Sequence, residues 1–179
     1  MIHPACGPFL FDTSAESRLE RPGGAAFTRW AREYMRVHEI HVSAATVVER
    51  IRGYGLLWSR GDAVKRKHVE SMRSAYLSRA VRVISLDAAT AVVSGEIMAL
   101  LPEAPSPPRR SHRLAESRQE RLSRWRFDAM IAATALVAAL PLIHDNPDDF
   151  EAIRAVVDRF PERFPTLGPL QLIRYTQLI

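Results

Sequence analysis

Five carboxylates stand beside short apolar runs in this chain. Asp12 closes FLFD, Glu49 lies within SAATVVERIRG, Asp128 leads DAMIAATAL, and Asp145 and Asp149 follow LPLIH. Hard oxygen donors brought together hold Mg²⁺ or Mn²⁺, and metal-assisted phosphodiester hydrolysis then requires no nucleophilic side chain. Gathering them is costly: two carboxylates 4 Å apart repel by about 4 kcal/mol at an effective dielectric near 20, a cost that a divalent cation removes. Each acid also has a simpler role open to it. Asp12 and Asp128 could cap helices, Glu49 could pair with Arg52 on a solvated face, and Asp148 and Asp149 suit a helix N-terminus.

Whether the acids meet depends on the elements that carry them. Phe9–Phe11 reads as a buried first strand ending at Asp12, with Thr13 and Ser14 opening a short helix. Pro22-Gly23-Gly24 breaks the chain before a helix through Phe27, Trp30, Tyr34 and Met35. Ile40–Val42 is a second strand, and Ser43 caps a helix over Ala44–Ser59 with Glu49 in its second turn. Asp62 caps a helix over Ala63–Arg79, amphipathic through Val64, Val69, Met72 and Leu77, and Val81–Leu86 is a third strand. Asp87 caps a further helix to about Leu101. Asp128 is expected to open the helix whose small residues Ala132 and Ala135 allow close packing, and Pro141 ends it. Leu140–Ile143 then forms a buried strand, Asp149–Phe160 a helix, and the proline-spaced tail one short strand.

Alternating strands and helices imply a parallel sheet covered on both faces, an α/β fold in three layers. Right-handed crossovers start each helix near the C-terminal edge of the preceding strand. All five acids therefore fall on the edge where open α/β sheets bind ligands.

The 179 residues suggest one domain, 1–179, interrupted by a Pro/Arg-rich insertion at about 101–126. That insertion carries seven arginines against three glutamates, so four of the chain's five net positive charges reside there. Lys65 and Lys67 are the only lysines, and arginine's planar fork suits phosphate. A GC-rich genome would explain the arginine content equally well. The single cysteine, Cys6, excludes an intrachain disulfide and fits a reducing cytoplasm. The opening residues lack the basic and apolar regions of a signal peptide. The longest apolar run, Ala129–Ile143, is shorter than the about 20 residues a membrane span needs. The six histidines lack zinc spacing, and no nucleophile elbow or glycine-rich phosphate loop is present. Trp30, Trp58 and Trp125 are expected in the core or an interface rather than as base-stacking platforms.

Taken in order, FLFDTS, SAATVVERIRG, FDAMIAATAL and LIHDNPDDF resemble the motifs of PIN-domain ribonucleases, specifically VapC-type toxins of bacterial toxin–antitoxin pairs. The matching positions are Asp12-Thr13, Glu49 with Gly53, Asp128 with Ile131-Ala132-Ala133, and Asn146 with Asp149-Phe150. The resemblance spans Phe9–Phe150 apart from the insertion and implies a PIN-like α/β/α sandwich with a short parallel sheet. It further implies a Mg²⁺-dependent endoribonuclease, with Mn²⁺ as a substitute, that works as a cytoplasmic homodimer restrained by a cognate antitoxin. The implied metal ligands are Asp12, Glu49, Asp128 and Asp149, braced by Thr13, Ser14, Asp145 and Asn146. Asp145 is the competitor for the fourth place; with Asp149 as the ligand, Asp145 is expected to orient His144 or a water. Arg109, Arg110, Arg113, Arg118 and Arg121 of the insertion are expected to hold the RNA backbone.

Three departures stand out: Ser14 where the family has Asn, His144-Asp145 where it has Thr-Arg, and the long basic insertion. They leave open an alternative, a catalytically silent PIN module that binds RNA or a protein partner.

Overall fold

The structure, a computed structural model, describes residues 2–20, 24–79, 81–108 and 116–179. Among these, five short parallel strands form one sheet: β1 (Leu10–Phe11), β2 (Ile40–Ser43), β3 (Val81–Ile84), β4 (Leu142–His144) and β5 (Leu172–Arg174), in the order β3-β2-β1-β4-β5. The helices are α1 (Thr13–Glu20), α2 (Ala25–Val37), α3 (Ala44–Ser59), α4 (Ala63–Leu77), α5 (Ala88–Leu100), α6 (Arg118–Val137) and α7 (Pro147–Arg159).

Period-two alternation in the strands divides the core into two layers. Leu10 and Leu142 face a cluster with Ile97, Trp125, Ile131, Phe150 and Ile153. Phe9, Phe11 and Ile143 face the other side, where Trp30, Tyr34 and Tyr175 pack. The sheet is therefore covered on both faces, giving the three-layer α/β/α sandwich expected from the sequence. Asp12 backbone N–H donates to the Ile143 carbonyl at 2.9 Å, which locks the end of β1 beside β4.

Four expectations are corrected. The insertion does not extend to residue 126, because α6 begins at Arg118. Its start is fixed by a capping box in which Ser117 Oγ accepts from Glu120 N–H at 3.2 Å and Glu120 Oε2 accepts from Ser117 N–H at 3.0 Å. Asp128 consequently lies in the middle of α6 and caps nothing. The charged stretch hid one buried side of a helix: Arg124 and Trp125 are both buried, and Trp125 Nε1–H donates to the Leu101 carbonyl at 3.2 Å. In α4, Val64 and Leu77 are exposed while Val69 and Tyr76 are buried, so the apolar face is shifted from the one the sequence suggests. At the far end of α6, Ala139 takes φ 52° and Leu140 N–H reaches back to the Ala135 carbonyl at 3.0 Å. The helix thus stops in a left-handed turn, and β4 starts only at Leu142, two residues later than the sequence suggests.

Candidate active site

Asp12 leaves β1 and turns directly into α1. Its Oδ1 accepts from Ala15 N–H at 2.6 Å and its Oδ2 from Asp145 N–H at 3.4 Å, so it caps α1 while also lining a cavity. Its two roles coexist because a carboxylate has more acceptor positions than the cap uses. Burial raises its carboxyl pKa to about 7, against the pull of these two backbone donors, and the charges of Glu49 and Asp145 add to the rise.

Glu49 approaches from the second turn of α3. Thr13 Oγ1–H donates to its Oε2 at 2.5 Å, fixing the carboxylate against the start of α1. The Arg52 pairing open to Glu49 in the sequence is replaced by this hydrogen bond. Asp128 comes from the middle of α6 and is 8% exposed. Burial, and then the negative charges of Asp12, Asp149 and Glu49, raise its pKa well above the ordinary value. Asn146, at the mouth of β4, donates through Nδ2 to Asp128 Oδ2 at 3.0 Å and to Asp149 Oδ2 at 2.6 Å.

These residues line a cavity of about 440 Å³ at the C-terminal edge of the sheet. Asp12, Glu49 and Asp128 contribute carboxylates to it, Asp145 stands at its side, and Thr13, Ser14 and Asn146 complete much of the wall. Asp149 does not line it. That acid is fully buried behind Asn146, where Oδ1 accepts from Ser106 N–H at 2.7 Å and Oδ2 from Ser106 Oγ–H at 3.0 Å. Arg124 Nη1 donates to Asp149 Oδ2 at 3.2 Å and to Ser106 Oγ at 2.8 Å. The remaining guanidinium edge holds Glu116, with Nε to Oε1 at 3.1 Å and Nη2 to Oε2 at 3.0 Å.

Asp145 does not orient His144. Its carboxylate pairs with Arg18 of α1, whose guanidinium also lies 4.6 Å from the centroid of the Tyr175 ring. His144 points into the core instead, against the Phe150 ring at 5.1 Å between centroids, and burial pushes its pKa down to about 4. It is therefore neutral at ordinary pH.

Arg124 and Arg18 are cavity residues that the sequence reading missed. Arg124 precedes Asp128 by four residues, the spacing that places two side chains on one helix face. Extending the helix back through the charged stretch would have revealed it. Arg118 is exposed, and Arg121 Nη1 donates to the Ser106 carbonyl at 3.5 Å. Arg109, Arg110 and Arg113 lie outside the described residues.

A divalent ion fits the chemistry of this wall, since it offers three hard oxygen donors and two of them have pKa values raised partly by neighbouring negative charge. As they stand, no three His, Cys, Asp or Glu side chains among the described residues form a ready-made ligand group.

A parallel sheet with acids gathered at its C-terminal edge is the arrangement of a PIN domain, and the family model for the PIN domain matches residues 9–156. The chain belongs to the PIN domain family. Its structure resembles those of VapC-type toxin assemblies. One is VapBC2 from Rickettsia felis bound to a DNA fragment from its promoter, at 14% identity and TM-score 0.56, covering 93% of this chain and 97% of that one. Another is FitAcB from Neisseria gonorrhoeae, at 17% identity and TM-score 0.57, covering 94% and 99%. A third is DNA-bound VapBC from Salmonella typhimurium, at 16% identity and TM-score 0.54, covering 93% and 97%. At these identities the likeness is one of fold. No curated protein matches the sequence.

Proposed function

We propose that this PIN domain is a divalent-metal-dependent endoribonuclease, the toxin of a toxin–antitoxin pair. The observation that carries the reading is the convergence of Asp12, Glu49 and Asp128, from three separate elements, on one cavity. These three residues would hold Mg²⁺ or Mn²⁺, which when bound supplies Lewis-acid polarisation of a phosphodiester. Thr13 restrains Glu49, Asn146 restrains Asp128, and Asp149 acts behind Asn146 as its anchor. Asp145 and Arg18 form the rim, and Ser14 lines the wall beside Asp12. The antitoxin partner is proposed from the VapBC and FitAB neighbours, which are complexes. A cytoplasmic homodimer is proposed with it, and exposed Val48, Val64 and Val92 are apolar surface that a protein contact would cover. Among the described residues no helix is long and apolar enough to cross a membrane.

The direct test is incubation of the purified chain with total RNA in Mg²⁺, in Mn²⁺ and in chelator. Cleavage with either metal and none in chelator is expected; RNA left intact in all three overturns the nuclease reading. Metal should also raise the melting temperature in a concentration-dependent way, because an ion that binds only the folded cluster stabilises it by mass action. A melting temperature indifferent to millimolar Mg²⁺ and Mn²⁺ argues that the acids serve as caps and ion-pair partners alone.

The alternative is a PIN module that binds RNA or a protein without cutting. It draws on one observation: Asp149 is engaged by Arg124, Ser106 and Asn146, so three acids rather than four of the expected ligand set reach the wall of the carboxylate cavity. The same assay separates the two readings.

Arg109, Arg110 and Arg113 of the insertion, with Arg118 and Arg121 from the start of α6, are proposed to bind the phosphates of the RNA backbone. Neutralising any one that does so should reduce the slope of log K against log salt concentration by about 0.7 for a single strand. Neutralising all five and finding the same affinity and slope would leave the insertion as a spacer or a protein-docking surface.

A further inference from the structure

A second cavity, of about 620 Å³, opens between α3 and α4. Thr13 and Glu49 line both this space and the carboxylate cavity, so their hydrogen bond forms the ridge between the two. Beyond the ridge the chemistry changes from anionic to cationic and aromatic. Arg50, Arg79, Tyr54 and Tyr76 line the new space, with Leu57 and Met72 among its apolar walls. Both arginines pair with Glu16, a fully buried carboxylate, and the Arg50 guanidinium lies 5.1 Å from the Tyr76 ring centroid and 5.7 Å from that of Tyr54. The guanidiniums are thereby held in place before any ligand arrives.

The hydroxyl of Tyr76 points to a ligand independently. Tyr76 is only 4% exposed, and its buried hydroxyl oxygen has no hydrogen-bond partner among the described residues. Burial, together with the Glu16 charge, pushes its pKa up to about 12, so at neutral pH it remains a proton donor. Buried polar groups are rarely left unpaired, and a donor in a cavity wall is satisfied when an acceptor enters.

Resting on the nuclease reading above, we propose that this cavity is a nucleotide subsite for the RNA strand flanking the cleaved phosphodiester. The Tyr76 hydroxyl and the Arg50–Arg79 pair meet a phosphate, and the base lies against Tyr54 and the apolar wall. Single-stranded RNA is held in this way by cationic grooves interleaved with aromatic rings. The shared ridge favours RNA over an acidic peptide, because a strand seated on the carboxylates continues directly into the second cavity. Gly53 on α3 also lines this space, and a Cβ at that position would meet no atom within 4 Å. A side chain there therefore starts in open space beside the subsite.

The test is binding of a fluorescein-labelled, mixed-sequence, single-stranded RNA decamer to the full chain in chelator, where cleavage does not intervene. Tyr76→Phe should weaken binding about tenfold or more, the range of one hydrogen bond to a charged acceptor, without lowering the melting temperature. Gly53→Leu should weaken it more than about tenfold by filling the space, again with no loss of thermal stability, since glycine is a poor helix former. Unchanged affinity in both variants overturns the subsite, as does a wild-type chain that fails to bind the decamer. A deca-glutamate peptide that binds wild type at least as tightly as RNA, and that Gly53→Leu no longer binds while still binding RNA, overturns it in favour of a peptide groove. Variant-sensitive RNA binding with no cleavage in Mg²⁺ or Mn²⁺ would sink the nuclease reading while supporting the subsite. Metal-dependent cleavage with variant-insensitive binding would sink the subsite alone.

Discussion

Asp128→Asn is expected to lower RNA cleavage at least about a hundredfold, equivalent to about 2.7 kcal/mol of barrier, while leaving the fold intact. The amide keeps the volume and can still meet Asn146, but it removes a hard anionic donor from the middle of the cavity wall. Asp12→Asn and Glu49→Gln should behave alike, and near wild-type turnover in two of the three variants would show that the site is misassigned. The same substitution should stabilise the metal-free protein. Asp128 is buried among Asp12, Glu49 and Asp149, and an amide there relieves their repulsion.

A pH signature accompanies this result. The folded carboxyl of Asp12 has its pKa raised from 3.8 to about 7, so between these values the folded chain binds more protons than the unfolded one. Stability from this group is fully present below about pH 4 and is lost as pH rises through about 7, by up to about 4 kcal/mol. The metal-free protein should therefore lose stability across that window, and saturating Mg²⁺ should flatten or reverse the trend because an ion favours the ionised carboxylate. Metal-free unfolding curves that coincide from pH 4 to pH 7.5 would contradict the upward shift that burial, and then neighbouring negative charge, gives Asp12.

Arg124→Met should destabilise the fold by about 3–5 kcal/mol, the cost of stranding a buried charge whose partner has been removed. Asp149 is 0% exposed, and Arg124 is one of three residues that satisfy it. Ser106 and Glu116, on the two sides of residues 109–115, both hang from the same guanidinium, so its removal should also loosen the two ends of the insertion. Urea unfolding measures the first effect, and hydrogen exchange around residues 104–106 the second. A change under about 1 kcal/mol would mean that Ser106 and Asn146 suffice for Asp149. The same geometry bears on the fourth acid. Asp149→Asn should cost more activity than Asp145→Asn, and Mn²⁺ affinity should fall by about 10- to 100-fold, the range for a residue that orients a ligand from behind. The reverse ranking in turnover would give the larger role to Asp145.

The sequence by itself determined the layered α/β architecture and the edge on which the acids lie. Short apolar runs such as FLF and LPLI can be buried only in a sheet covered on both sides, and each run is followed by an acid or by the helix that carries one. Chain direction and right-handed crossovers then bring Asp12 and Glu49 to the C-terminal edge without any knowledge of contacts, whereas Asp128 reaches it from the middle of a helix that starts earlier than the sequence suggests. The start of α6 was less legible because a buried arginine looks like a solvated one in sequence; only the approach of Glu116, Ser106 and Asp149 makes burial of Arg124 favourable. The choice between Asp145 and Asp149 was likewise beyond spacing. Both follow β4, and which one faces the cavity depends on partners distant in the chain: Arg18 draws Asp145 to the rim, while Ser106 and Arg124 hold Asp149 inside. Local pattern determines where a carboxylate enters the fold, but its final direction follows from the hydrogen bonds and charges that tertiary packing brings to meet it.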